Sequence, residues 1–153
     1  PRALGNRSIL CKPFPEEMKN YVNKNVKYRE SFRPFAPAIL NDKAKEFFRL
    51  NQESEHMLIA AKVRKNKKYL IPATVHVDNS SRVQTVSKKN NPKFYNLIKY
   101  FYSITNVPVV LNTSFNIKGQ PIVNNPKDAI SCFLKYNIDY LAIGNFIVEK
   151  KLK

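Results

Sequence analysis

Apolar residues recur along the chain at two spacings, and these spacings predict its helices and strands. Over 92–106 and 126–135 they recur every three or four positions, which indicates amphipathic helices packed against a core. Shorter helices are predicted over 15–25, where Pro15 precedes two glutamates, and over 43–50. The inward-facing residues are predicted to be Phe94, Leu97, Ile98, Phe101 and Tyr102 in the first long helix, and Ala129, Ile130, Phe133 and Leu134 in the second.

β-Branched and alternating runs between the helices predict the strands. A central strand is expected over 107–111, with others over 57–63 and 83–86, and a hairpin over 140–149 that turns at Gly144-Asn145. The segments 26–40 and 71–77 are expected to be extended, and 78–82 to be a loop. Because no repeat or linker divides the sequence, we predict one mixed α/β domain over 1–153, with helices flanking a twisted sheet.

The composition is that of a globular domain with its own core. Hydrophobic residues make up 43% of the 153 residues, and no apolar run is long enough to cross a bilayer, so no membrane partner is expected. Cys11 and Cys132 have no metal-ligand spacing, and we expect both to stay reduced in a cytoplasmic protein. The chain begins at Pro1 and a motif follows at once, so we expect a piece of a longer protein.

A strongly basic balance points to anionic partners. Lys and Arg number 27 against 11 acidic residues, which gives a net charge of +16. Because the chain is rich in both Lys and Asn, part of that charge fits compositional drift, and Arg is the more informative cation. Arg49 and Arg64 are interpreted as surface residues, whereas the arginines expected to bind phosphate or carboxylate are Arg2, Arg7, Arg29, Arg33 and Arg82.

Two polar stretches carry most of the candidate chemistry. In 26–37, Lys27, Arg29 and Arg33 alternate with aromatic residues, which suits a phosphate-binding wall; a basic edge strand that discourages pairing has the same pattern. In an extended segment, Lys27 and Arg29 would share a face. In 111–119, four short polar side chains follow the central strand, where they can bind a ligand or simply satisfy a polar turn: Asn112, Thr113, Ser114 and Asn116.

One pair of residues raises the question of a metal. His76 and Asp78 are two positions apart and can share a face, as metal ligands or an acid–base pair do. The sequence offers no third ligand nearby, so we expect no protein-bound metal. Instead, His76 is expected to be hydrogen-bonded within the structure or to help position Arg82.

Four stretches together resemble a known family. They are PRALGNRSI (1–9), VKYRESFRPFAP (26–37), HVDNSSRVQTV (76–86) and LNTSFNIKG (111–119). In this order they resemble the C-terminal domain of the NodU/CmcH/TobZ-type O-carbamoyltransferases. The resemblance implies a YrdC-like twisted mixed sheet with an open, concave, basic cleft. It also implies an N-terminal Kae1-like domain, absent from this chain, that holds the metal site and passes the carbamoyl group to a hydroxyl acceptor.

The resemblance also implies substrates and roles. Such a domain binds carbamoyl phosphate and ATP and forms a carbamoyl-adenylate, with Mg²⁺ carried by the ATP. Neither cysteine has a base partner in the sequence, so catalysis is expected to rest on positioning and electrostatics. We assign catalysis to Lys27, Arg33 and Arg82. The residues expected to bind carbamoyl phosphate and nucleotide are Arg2, Arg7, Lys27, Arg29, Arg33, Arg82, Asn112, Ser114 and Asn116.

The charge leaves one competing function open. A basic module of the YrdC type could bind double-stranded RNA through its phosphates, and such binding would weaken steeply with salt. The sequence carries no recognition-helix signature and no stacking motif of single-strand binders, so nucleic acid is the less favoured partner. The sequence names neither the acceptor nor the oligomeric state, and it leaves a homodimer open.

Overall fold

A five-stranded mixed sheet forms the centre of the protein. The computed structural model describes residues 3–150. The strands lie in the order β1-β5-β2-β4-β3, with β2 parallel to β4 and the other neighbours antiparallel. This mixed sheet confirms the predicted α/β class. The strands are β1 (Ser8–Cys11), β2 (Ala36–Leu40), β3 (Ile59–Lys62), β4 (Ser80–Val86) and β5 (Val109–Ser114).

Four α-helices accompany the sheet within the described residues: α1 (Glu17–Tyr21), α2 (Ala44–Phe47), α3 (Pro92–Thr105) and α4 (Pro126–Lys135). The two long helices begin where the sequence provides both a cap and a proline. Asn91 and Asn125 each accept a hydrogen bond from a backbone N–H of the first turn, and proline occupies the next position in both. Shorter helical segments are a π-helix (Val22–Lys27) and three 3₁₀ turns (Asn41–Lys43, Lys65–Leu70 and Pro72–Thr74).

The terminal hairpin lies apart from the main sheet. It consists of β6 (Tyr140–Ile143) and β7 (Phe146–Glu149), as predicted, and Gly144 adopts φ +58° in the turn between them. No helix among residues 3–150 is long and apolar enough to span a bilayer. Cys11 and Cys132 are free thiols, as expected.

The two faces of the sheet are covered differently. On one face, α3 packs Phe94 and Ile98 against small or branched residues of β2, β4 and β5. The small side chains of Ala36 and Ala38 lie on this face of β2, the middle strand, which leaves room above them. The opposite face packs against the remaining helices, with Phe133 of α4 in its core. The face under α3 is the one on which the candidate site lies.

Several local predictions were wrong. Residues 72–74 form a 3₁₀ turn instead of an extended segment, since Thr74 folds back and donates its hydroxyl to the Ile71 carbonyl. Arg82 lies inside β4, whose hydrogen bonds to β3 begin at Ser80, so 78–82 is not all loop. The strand predicted over 107–111 is β5, and it continues to Ser114. It does so because β1, which the hydrophobic pattern did not reveal, pairs with β5 as far as that residue.

Other corrections concern side chains. Lys27 ends the π-helix and Tyr28 takes a left-handed conformation, so Lys27 and Arg29 do not share the face of an extended segment. Three residues predicted to face the core are instead exposed on the outer sides of α3 and α4: Leu97, Ile130 and Leu134. Each lies at the border of an apolar stripe, where helical spacing alone does not decide the side.

A short strap, residues 3–6, crosses the α3 face of the sheet. Its backbone carbonyls accept hydrogen bonds from Asn112 and Gln84, and Gly5 donates its N–H to Ser8 Oγ. Gly5 adopts φ +104°, and a Cβ there would lie 2.3 Å from a ring carbon of Phe94. Only glycine fits that approach, because both the backbone angle and the contact exclude a side chain.

We therefore expect Gly5→Ala to destabilise the protein by about 3 kcal/mol, the combined cost of overpacking and an unfavourable backbone angle. Gly119→Ala is the matched control, since Gly119 has φ +78° but nothing within 4 Å of an added Cβ. The free energy of unfolding of Gly119→Ala should fall by only about 1 kcal/mol. Urea unfolding of both variants measures the difference, and equal losses would show that the strap does not depend on contact with Phe94.

Candidate functional site

A cavity of about 300 Å³ opens on the α3 face of the sheet. It lies where β2 and β4 begin and β5 ends. Three arginines line it, Arg29, Arg33 and Arg82, together with the strand residues Asn112 and Ser114. The structure thus brings five of the predicted binding residues to one place, although they are far apart in the sequence.

Arg29 is held rigidly at the cavity wall. Its Nε donates to Asn23 Oδ1 at 2.7 Å, a second nitrogen donates to the Pro34 carbonyl at 3.3 Å, and the guanidinium stacks on Phe35 at 4.6 Å. Burial, followed by the charge of Arg33, lowers the pKa of Arg29 to about 10. The side chain therefore stays charged at neutral pH, and its orientation is fixed before any ligand arrives.

Asn23 is a positioning residue that the sequence did not reveal. It is fully buried at the start of the π-helix, and its Nδ2 donates to the carbonyls of Ser31 and Arg33 while its Oδ1 accepts from Arg29. One amide therefore shapes the loop that carries both arginines. A loop rich in cations needs neutral hydrogen-bond acceptors nearby. Many asparagines of this chain could supply one, so the sequence alone does not single out Asn23.

Arg33 and Arg82 are the more accessible cations of the cavity. Arg33 is exposed and lies 3.9 Å from a carboxylate oxygen of Glu30, at the limit of an ion pair. Arg82 is exposed on β4 opposite Ala60, and its guanidinium makes no hydrogen bond or ion pair with any residue of 3–150. Both guanidiniums therefore keep donors for a ligand, and an anion is the ligand that they favour.

Asn112 places an unpaired acceptor at the same cavity. The side chain is 1% exposed, and its Nδ2 donates to Gln84 Oε1 at 2.7 Å and to the Ala3 carbonyl at 3.1 Å. Its Oδ1 is the one buried side-chain polar atom in the described chain without a hydrogen-bond partner. An orphaned acceptor of this kind costs about 1–3 kcal/mol, which a ligand N–H would recover.

Lys27 is placed differently from the prediction. It is buried under the end of β5 and donates to Ser114 O and Asn116 Oδ1, both at 2.8 Å, as well as to the Asn116 carbonyl. It does not line the cavity of the arginines. Burial, then the charge of Arg29, lowers the pKa of Lys27 to about 8. Its position suits the shaping of the loop after β5.

Asn116 takes part in the same network below the cavity. Its Oδ1 accepts from Lys27 and from Ser114 Oγ, and its Nδ2 donates to the Gln120 carbonyl at 2.7 Å. Asn116 is therefore engaged with the protein and lies outside the cavity lining. Ser114 is the residue that connects this network with the cavity.

One known protein family matches nearly the whole chain. The family model described as "Carbamoyltransferase C-terminus" matches residues 1–150. This chain belongs to the carbamoyltransferase C-terminus family. The family resemblance predicted from four stretches of sequence is therefore confirmed.

Curated relatives are much longer proteins. The nodulation protein NolO of Bradyrhizobium diazoefficiens is 46% identical over 154 residues, which cover 99% of this chain and 28% of the relative. Nodulation protein U of the same organism is 40% identical over 132 residues, covering 86% of this chain and 23% of the relative. An uncharacterized protein of Methanocaldococcus jannaschii is 46% identical over 98% of this chain and 29% of its own length. The chain thus spans about a quarter of the length of these relatives.

Arg7, one of the predicted site arginines of this carbamoyltransferase domain, lies outside the cavity lining. Arg7 donates to the Val123 carbonyl at 2.9 Å and approaches Asn124, so it ties β1 to the segment before α4. Arg2 lies outside the described residues. Arg7 thus has a structural role in this structure, and its predicted contact with the ligand stays a prediction.

His56 and Met57 line the cavity but were not predicted. They lie on the loop before β3, where Met57 adopts a left-handed backbone with φ +58°. The strand predicted over 57–63 begins only at Ile59, so Met57 belongs to the loop. It reaches the cavity only because β3 pairs with β4 beside Arg82.

His76 and Asp78 proved to be structural. Asp78 Oδ1 accepts from the Ser80 backbone N–H and hydroxyl, and Lys62 donates to its other oxygen at 3.1 Å. These contacts hold the pKa of Asp78 well below its usual range. The backbone N–H of His76 donates to the Ser80 carbonyl at 2.8 Å, so the pair closes the turn into β4.

A larger cavity, about 510 Å³, lies between β1, α1 and the terminal hairpin. Its lining is mainly apolar, with Met18, Tyr21 and Val22 prominent, and it holds none of the predicted site residues. We place the candidate site at the smaller cavity because the cations and the unpaired amide oxygen are found there.

The pKa of Lys27 gives a test of its burial. Between pH 8 and 10.5 the folded chain releases a proton that the unfolded chain keeps, so stability should rise with pH over this interval. Lys27→Met removes the titration. The unfolding free energy of the wild type relative to this variant should therefore increase from pH 7.5 to 9.5 in urea titrations, and a constant or falling difference would contradict the shift.

Proposed function

We propose that this carbamoyltransferase C-terminal domain binds carbamoyl phosphate and ATP at the cavity of Arg29, Arg33 and Arg82. There it forms a carbamoyl-adenylate for transfer to a hydroxyl acceptor. One observation carries the proposal: three arginines line one cavity together with Asn112, whose buried Oδ1 has no hydrogen-bond partner. Cations suit phosphate oxygens, and the amide oxygen suits the N–H of a carbamoyl group.

The reaction needs charge stabilisation more than it needs a nucleophile. Water releases phosphate from carbamoyl phosphate to leave carbamate, whose oxygen attacks the α-phosphorus of ATP as the bond to pyrophosphate breaks. The products are carbamoyl-adenylate, phosphate and pyrophosphate. Negative charge grows on the leaving phosphates, and preoriented guanidiniums such as that of Arg29 stabilise it without reorganising. Mg²⁺ enters with the nucleotide as part of the substrate.

The three cations do not contribute equally. Arg29 is held in one orientation by Asn23, Pro34 and Phe35, so its charge acts from a fixed position. Arg33 and Arg82 have donors left over and are the groups that contact phosphate directly. Lys27 acts indirectly. It donates hydrogen bonds to Ser114 and so fixes the position of Ser114 at the edge of the cavity.

We expect Arg82→Ala to weaken carbamoyl phosphate binding about 10- to 100-fold, the loss of one or two charge-assisted hydrogen bonds. Arg49→Ala is the matched control, because Arg49 is exposed and lies outside the cavity. It should change affinity by no more than about twofold, as expected for a screened distant charge. Isothermal titration calorimetry on both variants, after circular dichroism confirms folding, gives the comparison.

Two results would contradict the proposal. Equal losses in the two variants would mean that only the net charge matters. A folded wild-type chain that binds neither carbamoyl phosphate nor ATP would refute the proposed function. Binding of double-stranded RNA that falls steeply with salt would then favour the alternative of a nucleic-acid module.

Asn112 predicts selectivity for the carbamoyl group. Acetyl phosphate has a methyl group where carbamoyl phosphate has NH₂, so it cannot donate to Oδ1. Carbamoyl phosphate should bind the wild type at least about tenfold more tightly, since the acceptor otherwise stays unpaired. Asn112→Leu removes Oδ1, so it should reduce the ratio between the affinities for carbamoyl phosphate and acetyl phosphate. Competition titrations measure the ratio, and equal wild-type affinities for the two phosphates would exclude Oδ1 from ligand recognition.

A further inference from the structure

One edge of strand β1 lies open in the larger cavity, the one of about 510 Å³. Strand β1 is the first strand of the sheet, and among residues 3–150 only β5 pairs with it. The cavity is bounded on its other sides by α1, by the π-helix and by residues 137–140, which lead into the terminal hairpin. An open strand edge inside a cavity is an arrangement that can accept another strand.

The register of β1 shows which of its backbone groups face this cavity. The Phe115 N–H donates to the Arg7 carbonyl at 2.9 Å, so the hydrogen-bonded pairs with β5 fall on every second residue from Arg7, the next being Ile9. Ser8 and Leu10 therefore direct their backbone N–H and C=O groups away from β5. No backbone group of the described chain bonds to these four groups. They offer two donors and two acceptors to an added strand.

The opposite edge of the sheet is treated differently. Along β3, the Arg49 N–H donates to the Lys62 carbonyl at 2.9 Å, and Phe48 forms a β-bridge with Val63, so a neighbouring segment covers that edge. Proteins protect open edges with charged residues, with proline or with such a cover. Strand β1 reads Ser-Ile-Leu-Cys and has neither a charge nor a proline. Its edge is therefore suited to pairing.

We propose that an extended segment of carbamoyltransferase polypeptide outside these 153 residues fills the cavity and pairs with β1 as a sixth strand. This inference goes beyond the proposed function and does not depend on it. The matched regions make up 28% of NolO and 23% of nodulation protein U, so these relatives contain ample further polypeptide. A segment of the same polypeptide docks at a high effective concentration, without the full entropic cost of associating separate molecules.

A second copy of the chain is the less suitable partner. Its own β1 is flanked by the same α1 and the same residues 137–140, which line the cavity on either side of the edge. Two edges that each lie within a cavity cannot meet, whereas a single extended segment can enter. The surroundings of β1 therefore favour one added strand over a continuous sheet across a dimer.

The cavity also predicts the sequence pattern of the added strand. Side chains along β1 alternate, since Ile9 packs in the core with Phe133 whereas Leu10 packs on the α3 side. Met18 and Val22 line the cavity and belong to the same core as Ile9. Because side chains of paired strands lie on the same faces, every second residue of the added strand contacts this apolar lining. Those residues should be apolar, and the residues between them can be polar.

The test uses a fluorescein-labelled hexapeptide of alternating threonine and valine, together with two forms that are N-methylated on one or the other set of alternate amides. Alternate amides of a strand face opposite edges, so only one set can donate to β1. In fluorescence anisotropy titrations up to millimolar chain, the unmodified peptide should bind. One methylated form should bind at least about tenfold more weakly, and the other within about twofold. No binding, or equal affinities of the two methylated forms, would refute strand addition.

Two variants test the edge from the side of the protein. Leu10→Pro removes the N–H that faces the cavity but none of the hydrogen bonds to β5, and it should weaken peptide binding at least about tenfold. Leu10→Ala is the matched control, because it shortens the same side chain and keeps the N–H, and it should stay within about twofold. Circular dichroism checks the folding of both variants. Equal affinities of folded variants would exclude the Leu10 N–H from docking, and the methylated peptides decide the matter on the wild type if Leu10→Pro does not fold.

The source of the strand is tested with the full-length relative NolO, whose matched region is 28% of its length. Its own polypeptide should occupy the cavity, so the unmodified peptide should bind NolO at least about tenfold more weakly than it binds this chain. Equal affinities would overturn the origin of the strand within the same polypeptide. Sedimentation of this chain as a dimer that the peptide dissociates would overturn it as well, by assigning the edge to a second copy.

Discussion

The hydrogen bond from Asn112 Nδ2 to Gln84 Oε1 is the interaction on which the candidate site depends. It joins β5 to β4 over the central strand β2, with 2.7 Å between donor and acceptor, and both side chains are almost fully buried. The contact is possible because β2 presents alanines on this face. Each amide nitrogen also donates to a carbonyl of the strap, so one buried pair holds the sheet and the strap together.

Holding like charges together is the second constraint on the site. Three guanidiniums share one cavity. Among residues 3–150, only one carboxylate forms an ion pair with any of them, that of Glu30 at 3.9 Å from Arg33. The protein solves this with neutral acceptors, namely the amide of Asn23 and the carbonyl of Pro34. A carboxylate in their place would stabilise the empty site more strongly, but it would also neutralise the charge that an anionic ligand needs. The repulsion that remains favours ligand binding.

The parts of the fold that could be predicted are those with local signals. The caps and prolines of α3 and α4 and the Gly-Asn turn of the hairpin lie within a few residues of the structure they specify. The strand β1 and the π-helix before Tyr28 could not be predicted, because each depends on partners far away in the sequence. Among site residues, Arg29, Arg33, Arg82, Asn112 and Ser114 were identified by type and resemblance and do share a cavity. Asn23, His56 and Met57 were missed because only the tertiary structure brings them to the site.

Lys27 determines the shape of the site, whereas the arginines of the cavity supply its charge. Its ammonium group is surrounded by oxygens of Ser114, at the end of β5, and of Asn116, in the loop that follows. Burial lowers its pKa to about 8, so the oxygens of this loop offset only part of the cost of burying the charge. A cation in this position does not need to contact a phosphate to be essential: its removal would release Ser114 from the cavity edge while leaving all three arginines in place. The loss of geometry and the loss of charge are therefore separable in this domain, with Lys27 governing the first and Arg82 the second.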